Sequence, residues 1–109
     1  MYRDIPKEEW ASELEAFTER HAQRPTVIEV DSPQFGAQEQ AHDYPLRGVV
    51  YDHRDERISI MLGEVEGTEP HLTHSIPHAR SVAIGPGRED ATEVMRIAHD
   101  DGQTFVWVS

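Results

Sequence analysis

The fold is decided by residues 44–62, which read YPLRGVVYDHRDERISIML. Gly48 lies at a point where a strand must bend sharply or be approached closely, since a glycine inside a strand marks such points. Residues 52–56 have a turn composition, and the segment that follows alternates apolar and more polar side chains up to Leu62. This pattern predicts two antiparallel strands joined by a tight turn, within a small and strongly curved sheet.

An amphipathic helix is predicted ahead of this unit, over residues 6–23. Pro6 fits the first helical position, where the missing N–H costs no hydrogen bond. Trp10, Leu14 and Phe17 recur at the spacing of one helical face. We expect this apolar face to pack against the sheet.

Five or six antiparallel strands are predicted between residues 26 and 108. Short β-branched or alternating segments are separated there by glycine, proline and aspartate. Asp101-Gly102 is a strong signal for a two-residue hairpin turn. A chain of 109 residues is the size of one domain. The prediction is a single α+β domain over residues 1–109, with helix 6–23 packed on a strongly bent, partly closed antiparallel sheet over 26–108.

The charge balance limits the partners that the protein can have. The chain holds 21 acidic and 10 basic residues, a formal net charge of −11, and Lys7 is its only lysine. A surface of this sign repels phosphate backbones and anionic lipid, which disfavours binding to nucleic acid or to membranes. A composition rich in acids and poor in lysine is also typical of proteins from a high-salt cytoplasm.

The absence of cysteine excludes disulfides, thiolate nucleophiles and cysteine-type zinc sites. No apolar run approaches the roughly 18–20 residues that a membrane span needs. The first ten residues contain no apolar signal core. We therefore expect a cytoplasmic location.

Part of the chain resembles the first motif of Sm-like small barrels. The resemblance is carried by Leu46-Arg-Gly48, by Asp55 and by the segment Ile58-Ser-Ile-Met-Leu62. It implies an Sm-like or SH3-like small barrel behind an N-terminal helix, in a family whose members often form rings that bind RNA. Ser59 stands where that motif has an RNA-contacting asparagine, and residues 81–87 lack the Arg-Gly of its second motif. The resemblance therefore implies the barrel rather than RNA binding.

The whole chain is similar to a family of small bacterial proteins whose function is not known. The features that carry this resemblance are an Ile-Pro-x-Glu-Glu-Trp helix start at residues 5–10, Pro-Leu-Arg-Gly at residues 45–48 and a His-x-Ile strand at residues 74–76. The resemblance implies no catalytic residue and no cofactor.

Three histidines form the most suggestive cluster for chemistry. His71, His74 and His78 lie within eight residues, and neutral imidazole is a good ligand for Zn²⁺ or Ni²⁺. In a flat strand, however, His71 points away from the other two. The alternatives are a metal site and a set of solvated histidines at a sheet edge.

The last segment, Thr104 to Val108, is apolar on both of its faces. Phe105 and Trp107 alternate there with Val106 and Val108. Such a strand is either central in the sheet or covered on a second face. At an edge, Thr104, Val106 and Val108 would belong to a template on which another copy of the chain pairs.

No arrangement of catalytic residues stands out. The leading hypothesis is a small, acidic, non-enzymatic interaction module that binds itself or another protein. The alternatives are a metal-binding protein that uses the three histidines and, third, an Sm-like RNA binder.

Overall fold

The computed structural model describes residues 2–34, 36–63, 72–87 and 91–109, and for residues 40–43 it describes the backbone alone. The described elements are β1 (Arg3–Ile5), a 3-10 helix (Lys7–Glu9), α1 (Trp10–His21), β2 (Pro25–Ser32), β3 (Gly36–Asp52), β4 (Arg57–Leu62), β5 (Leu72–Pro77), β6 (Ser81–Pro86), β7 (Glu93–His99) and β8 (Gly102–Val108). No helix in these ranges is both long enough and apolar enough to cross a bilayer.

The strands form one antiparallel sheet in the order β1-β6-β7-β8-β2-β3-β4-β5. The α+β class and the antiparallel sheet behind an N-terminal helix are therefore confirmed. Within the described residues the sheet is not closed, and it ends at β1 and β5. The five or six strands predicted between residues 26 and 108 are too few, because the described residues form seven there, β2 to β8, and β1 lies before the helix. The three-residue strand β1 is too short to show an alternating pattern.

The helix is shorter than the predicted 6–23. Pro6 precedes a 3-10 turn instead of starting α1, which begins only at Trp10. The helix ends at His21, and Gln23 takes a left-handed conformation with φ of 68°. The chain then turns directly into β2.

The hairpin made by β3 and β4 has the predicted form. Ile58, Ile60 and Leu62 are fully buried, as their alternation with more polar neighbours predicts. A bulge in the register between Leu46 and Gly48 marks the place where β3 stops pairing with β2 and starts pairing with β4. This long strand thus carries the sheet around its bend.

One apolar core fills the space inside the curved sheet. Trp10, Leu14 and Phe17 of α1 are buried there, and the Trp10 indole N–H donates a 2.9 Å hydrogen bond to the Ile5 carbonyl. The strands contribute Ile28, Leu46, Val49, Ile58, Ile60, Leu62, Ile76, Val82, Ile84, Met95, Ile97, Val106 and Val108. Burying each large side chain of this kind stabilises the fold by about 1.5–3 kcal/mol.

The turn between β7 and β8 differs from the prediction by one residue. His99 pairs with Gly102, so the two turn residues are Asp100 and Asp101. Gly102 begins β8 with φ of 134°, and a Cβ at this position would lie 2.1 Å from the Asp31 carbonyl oxygen. The glycine is required by the close approach of β2, which the local sequence does not reveal.

Replacing Gly102 by alanine should destabilise the fold strongly, because the side chain meets backbone atoms at a φ that L-residues rarely adopt. We expect Gly102→Ala to lower the free energy of unfolding by about 2 kcal/mol or more. Gly48→Ala is the matched control. Its Cβ would make ordinary 3.5 Å contacts with Thr18 and Met61, so the change should stay within about 1 kcal/mol. Urea denaturation measures the unfolding free energy of both variants. Equal losses for Gly102→Ala and Gly48→Ala would contradict the requirement for glycine at position 102.

Candidate functional site

Two of the three predicted histidines border one surface cleft. His74 lies in the edge strand β5 and His78 in the turn after it, and both line a cleft of about 250 Å³. The opposite wall comes from Val30 of β2 and from the turn between β7 and β8. His71 lies outside the described residues.

A third imidazole in this cleft comes from His99 at the end of β7, and sequence reasoning missed it. Its Nε2 lies 3.0 Å from Thr104 Oγ1 on the neighbouring strand. His99 is separated from His74 by 25 positions, so no spacing rule links the two. Only the return of β7 and β8 past β5 brings these residues to one cleft.

Both half-buried imidazoles favour their neutral form. Burial lowers the pKa of His74, and the nearby His99 lowers it further. Burial also lowers the pKa of His99, although Asp101 and Asp100 oppose that effect. Neutral imidazoles offer a lone pair to a hydrogen-bond donor or a cation.

The described histidines of the cleft, His74, His78 and His99, are not grouped in a way that could hold a metal ion. His78 has a left-handed backbone with φ of 55°, and its Nδ1 is 3.8 Å from Glu56 Oε2 in the next turn. In the described ranges, no three side chains of His, Asp or Glu are grouped so that they could hold a metal ion. Zinc or nickel binding by His71, His74 and His78 stays a prediction, because His71 is not among those residues.

A larger cleft of about 590 Å³ adjoins this one at the turn between β2 and β3. The two clefts share Val30, Asp100 and Asp101 as a common wall. Asp100 forms an ion pair with Arg80, so part of the acidic charge of this wall is neutralised.

The C-terminal strand β8 is central in the sheet, so the hypothesis that it lies at an edge of the sheet is wrong. β8 pairs with β7 on one side and with β2 on the other, and both backbone edges are therefore used. Thr104, Val106 and Val108 are fully buried. These three residues are not available as a template for another copy of the chain.

The second apolar face of β8 lies on the outside of the sheet. Val106 and Val108 belong to the core, so the alternation of the strand turns Phe105 and Trp107 to the opposite face. Their rings are stacked, with centroids 5.8 Å apart and planes inclined by 18°. Both side chains stay partly exposed.

Charged residues flank Phe105 on the neighbouring strands, and apolar residues flank Trp107. Phe105 lies between Arg96 of β7 and Glu29 of β2, and Trp107 lies between the buried Val94 of β7 and Val27 of β2. We call Val27, Glu29, Arg96, Phe105 and Trp107 the outer patch. The sequence indicated that β8 is central or has a second covered face, but it did not show which charges lie beside that face.

A buried polar contact ties the end of α1 to β7. His21 Nε2 lies 2.6 Å from Glu93 Oε1, and Arg20 Nη2 lies 2.9 Å from the same oxygen. Burial alone would raise the pKa of Glu93, but the hydrogen bonds from His21 and Arg20 outweigh it and lower that pKa. His21 also packs edge-on against Phe17, and its buried Nδ1 has no hydrogen-bond partner among the residues that the structure describes. This contact fixes the helix to the sheet.

Acid should destabilise the fold through the histidine cleft. The folded-state pKa of His74 lies below its unfolded value of about 6.5, so the unfolded chain takes up this proton first as the pH falls. The contribution of neutral His74 to the free energy of unfolding is therefore retained above about pH 6.5 and declines below it. We expect His74→Gln to reduce the loss of unfolding free energy between pH 7.5 and pH 5.5 in urea titrations. His53→Gln in the exposed turn before β4 is the control and should keep the wild-type loss; identical losses in all three proteins would refute this role of His74.

Comparison with known proteins identifies the family of the chain but gives no activity. It matches the model of a family of unknown function, DUF5335, over residues 1–107. No curated protein and no solved structure gives a significant match. The resemblance to a family of unknown function is thus confirmed, and it extends from three short motifs to almost the whole chain. The protein belongs to this family of unknown function, DUF5335.

Proposed function

We propose that the protein is a non-enzymatic interaction module that self-associates through the outer patch. The observation that carries this proposal is the stacked, partly exposed pair Phe105–Trp107 on the outside of the central strand β8. Large aromatic side chains supply much of the contact energy in protein interfaces. A pair held on a strand that is bonded on both sides loses little conformational freedom when it binds.

The inner face of the sheet is filled by the core cluster, to which Phe105 and Trp107 do not belong. Helix α1 packs on the inner face, where Trp10, Leu14 and Phe17 join the core. The outer aromatic pair is thus not needed to hold the helix. Its place on the solvent side is what an interface between two sheets requires.

The charges of the outer patch complement one another under a two-fold axis. Arg96 and Glu29 lie on opposite sides of Phe105. If the axis runs along β8 between two facing sheets, Arg96 of one protomer faces Glu29 of the other, and the same pair forms twice. Arg96 is held in place by the ring of Tyr2, whose centroid is 4.5 Å from the guanidinium carbon.

Net charge sets the conditions under which this dimer forms. Two chains that each carry a formal charge of −11 repel one another in dilute buffer. Salt shortens the range of that repulsion to about 10 Å at 0.1 M and about 3 Å at 1 M. Self-association should therefore strengthen as salt is added, while the aromatic contact is retained.

Charge reversal at the outer patch tests the proposal. Arg96→Glu and Glu29→Arg should each weaken dimer formation by at least about tenfold, because each places like charges opposite one another. The double variant restores opposite charges and should recover most of the wild-type affinity. Sedimentation velocity over a range of protein concentrations, in 0.1 M and 1 M salt, gives the dissociation constants.

Arg54→Glu makes the same change of net charge as Arg96→Glu, but in the exposed turn before β4 and outside the outer patch, and is its matched control. It should change the dissociation constant of the dimer only through its effect on the net charge. A wild-type protein that remains monomeric at millimolar concentration in both salts would overturn the proposal. So would a double variant that stays as weak as the singles.

A further inference from the structure

A groove separates α1 from the second half of β3. Its volume is about 250 Å³, and it is lined by Ala11, Glu15, Thr18, Val49, Val50 and Tyr51. Val50 is one of the most exposed large apolar side chains of the described residues, at 48 %. The groove shares no lining residue with the cleft that His74, His78 and His99 border.

The strand that borders this groove has one unpaired edge. Residues 46–52 of β3 pair with β4, whereas pairing with β2 stops at Pro45. β2 cannot extend further along β3, because the chain before Pro25 is the end of α1. The last backbone bonds on this edge run from Gln23 N–H to the Leu46 carbonyl and from Leu46 N–H to the Arg24 carbonyl, at 2.8 Å and 3.0 Å. Beyond them, no strand of the described ranges pairs with β3 on this side.

A side chain of the helix takes the place of one missing strand bond. Thr18 Oγ1 accepts a 2.9 Å hydrogen bond from Val49 N–H. The hydroxyl has a single proton, and the Leu14 carbonyl at 2.9 Å is closer to it than the Val49 carbonyl at 3.3 Å. The Val49 carbonyl is therefore only weakly satisfied by the helix.

The next residue on this edge opens into the groove. Backbone groups that point to one side of a strand recur at every second residue. Since Val49 N–H points at the helix, the N–H and carbonyl of Tyr51 point to the same side. Tyr51 and the Val49 carbonyl thus present one donor and two acceptors, the pattern that an added strand engages.

We propose that this groove binds an extended, basic peptide segment of another protein, which adds to β3 as a further strand. Acidic side chains at the groove favour a peptide of positive charge. Glu15 lines the wall, and the exposed Glu19 lies one helical turn further along the same side of α1. The small side chain of Ala11 leaves room for the peptide, and Val50 offers an apolar contact at the rim.

The test uses a fluorescein-labelled hexapeptide of alternating arginine and valine, with fluorescence anisotropy as the readout. A second peptide of the same sequence is N-methylated at every internal residue, so that it keeps the charge and loses the backbone donors. The third peptide has glutamate in place of arginine. We expect binding of the first peptide, at least tenfold weaker binding of the second, and no binding of the third.

Variants locate the peptide on the protein. Ala11→Phe fills the groove at an exposed helical position and should weaken binding at least tenfold. Arg96→Glu lies in the outer patch and should leave binding close to wild type, which separates this proposal from the proposed dimer. Hydrogen exchange followed by NMR should show the Tyr51 amide slowed by the first peptide.

Three results would overturn the proposal. The first is no binding of the arginine–valine peptide at millimolar concentration. The second is equal binding of the methylated peptide, which would mean that charge alone attracts it. The third is unchanged binding to Ala11→Phe together with an unchanged exchange rate at Tyr51.

Discussion

The curved sheet holds its shape because α1 fills the space that the curvature encloses. Trp10, Leu14 and Phe17 are buried in one core cluster that also includes Ile5 of β1 and Ile76 of β5, the strands at the two ends of the sheet. Without them, the apolar inner face would be open to water. Polar contacts fix the helix at three points: the Trp10 indole donates to the Ile5 carbonyl at its start, Thr18 Oγ1 accepts from Val49 N–H, and His21 is bonded to Glu93 at its end. The free energy of folding therefore depends on helix and sheet together.

The same placement leaves two surfaces for contacts with other molecules. Because α1 packs inside the bend, the outer face of β8 is not covered by it, and Phe105 and Trp107 remain there. Because α1 leads directly into β2, the edge of β3 beyond Leu46 lies beside a helix instead of a strand. Thr18 satisfies part of that edge. Both proposed binding surfaces are thus consequences of where one short helix lies.

The sequence pattern predicted the features of the fold that depend on which side chains of one helix or strand are buried. The alternation up to Leu62 and the one-sided spacing of Trp10 and Phe17 are confirmed, since each depends on which face is buried. The central position of β8, the need for Gly102 and the arrival of His99 beside His74 depend on residues far apart in the chain. A single sequence gives no direct signal for such contacts. The family match adds no chemistry to them, so the candidate sites rest on geometry.

Native-state hydrogen exchange of Leu14→Ala tests most directly whether helix and sheet form one cooperative core. Leu14 is fully buried, and its truncation should cost about 2–5 kcal/mol because a cavity remains. The slowest amides of α1, β4 and β7 are expected to lose the same protection free energy, since these elements unfold together. Loss of protection confined to α1, with β4 and β7 unchanged, would show that the sheet folds without its helix and would contradict the single cooperative core.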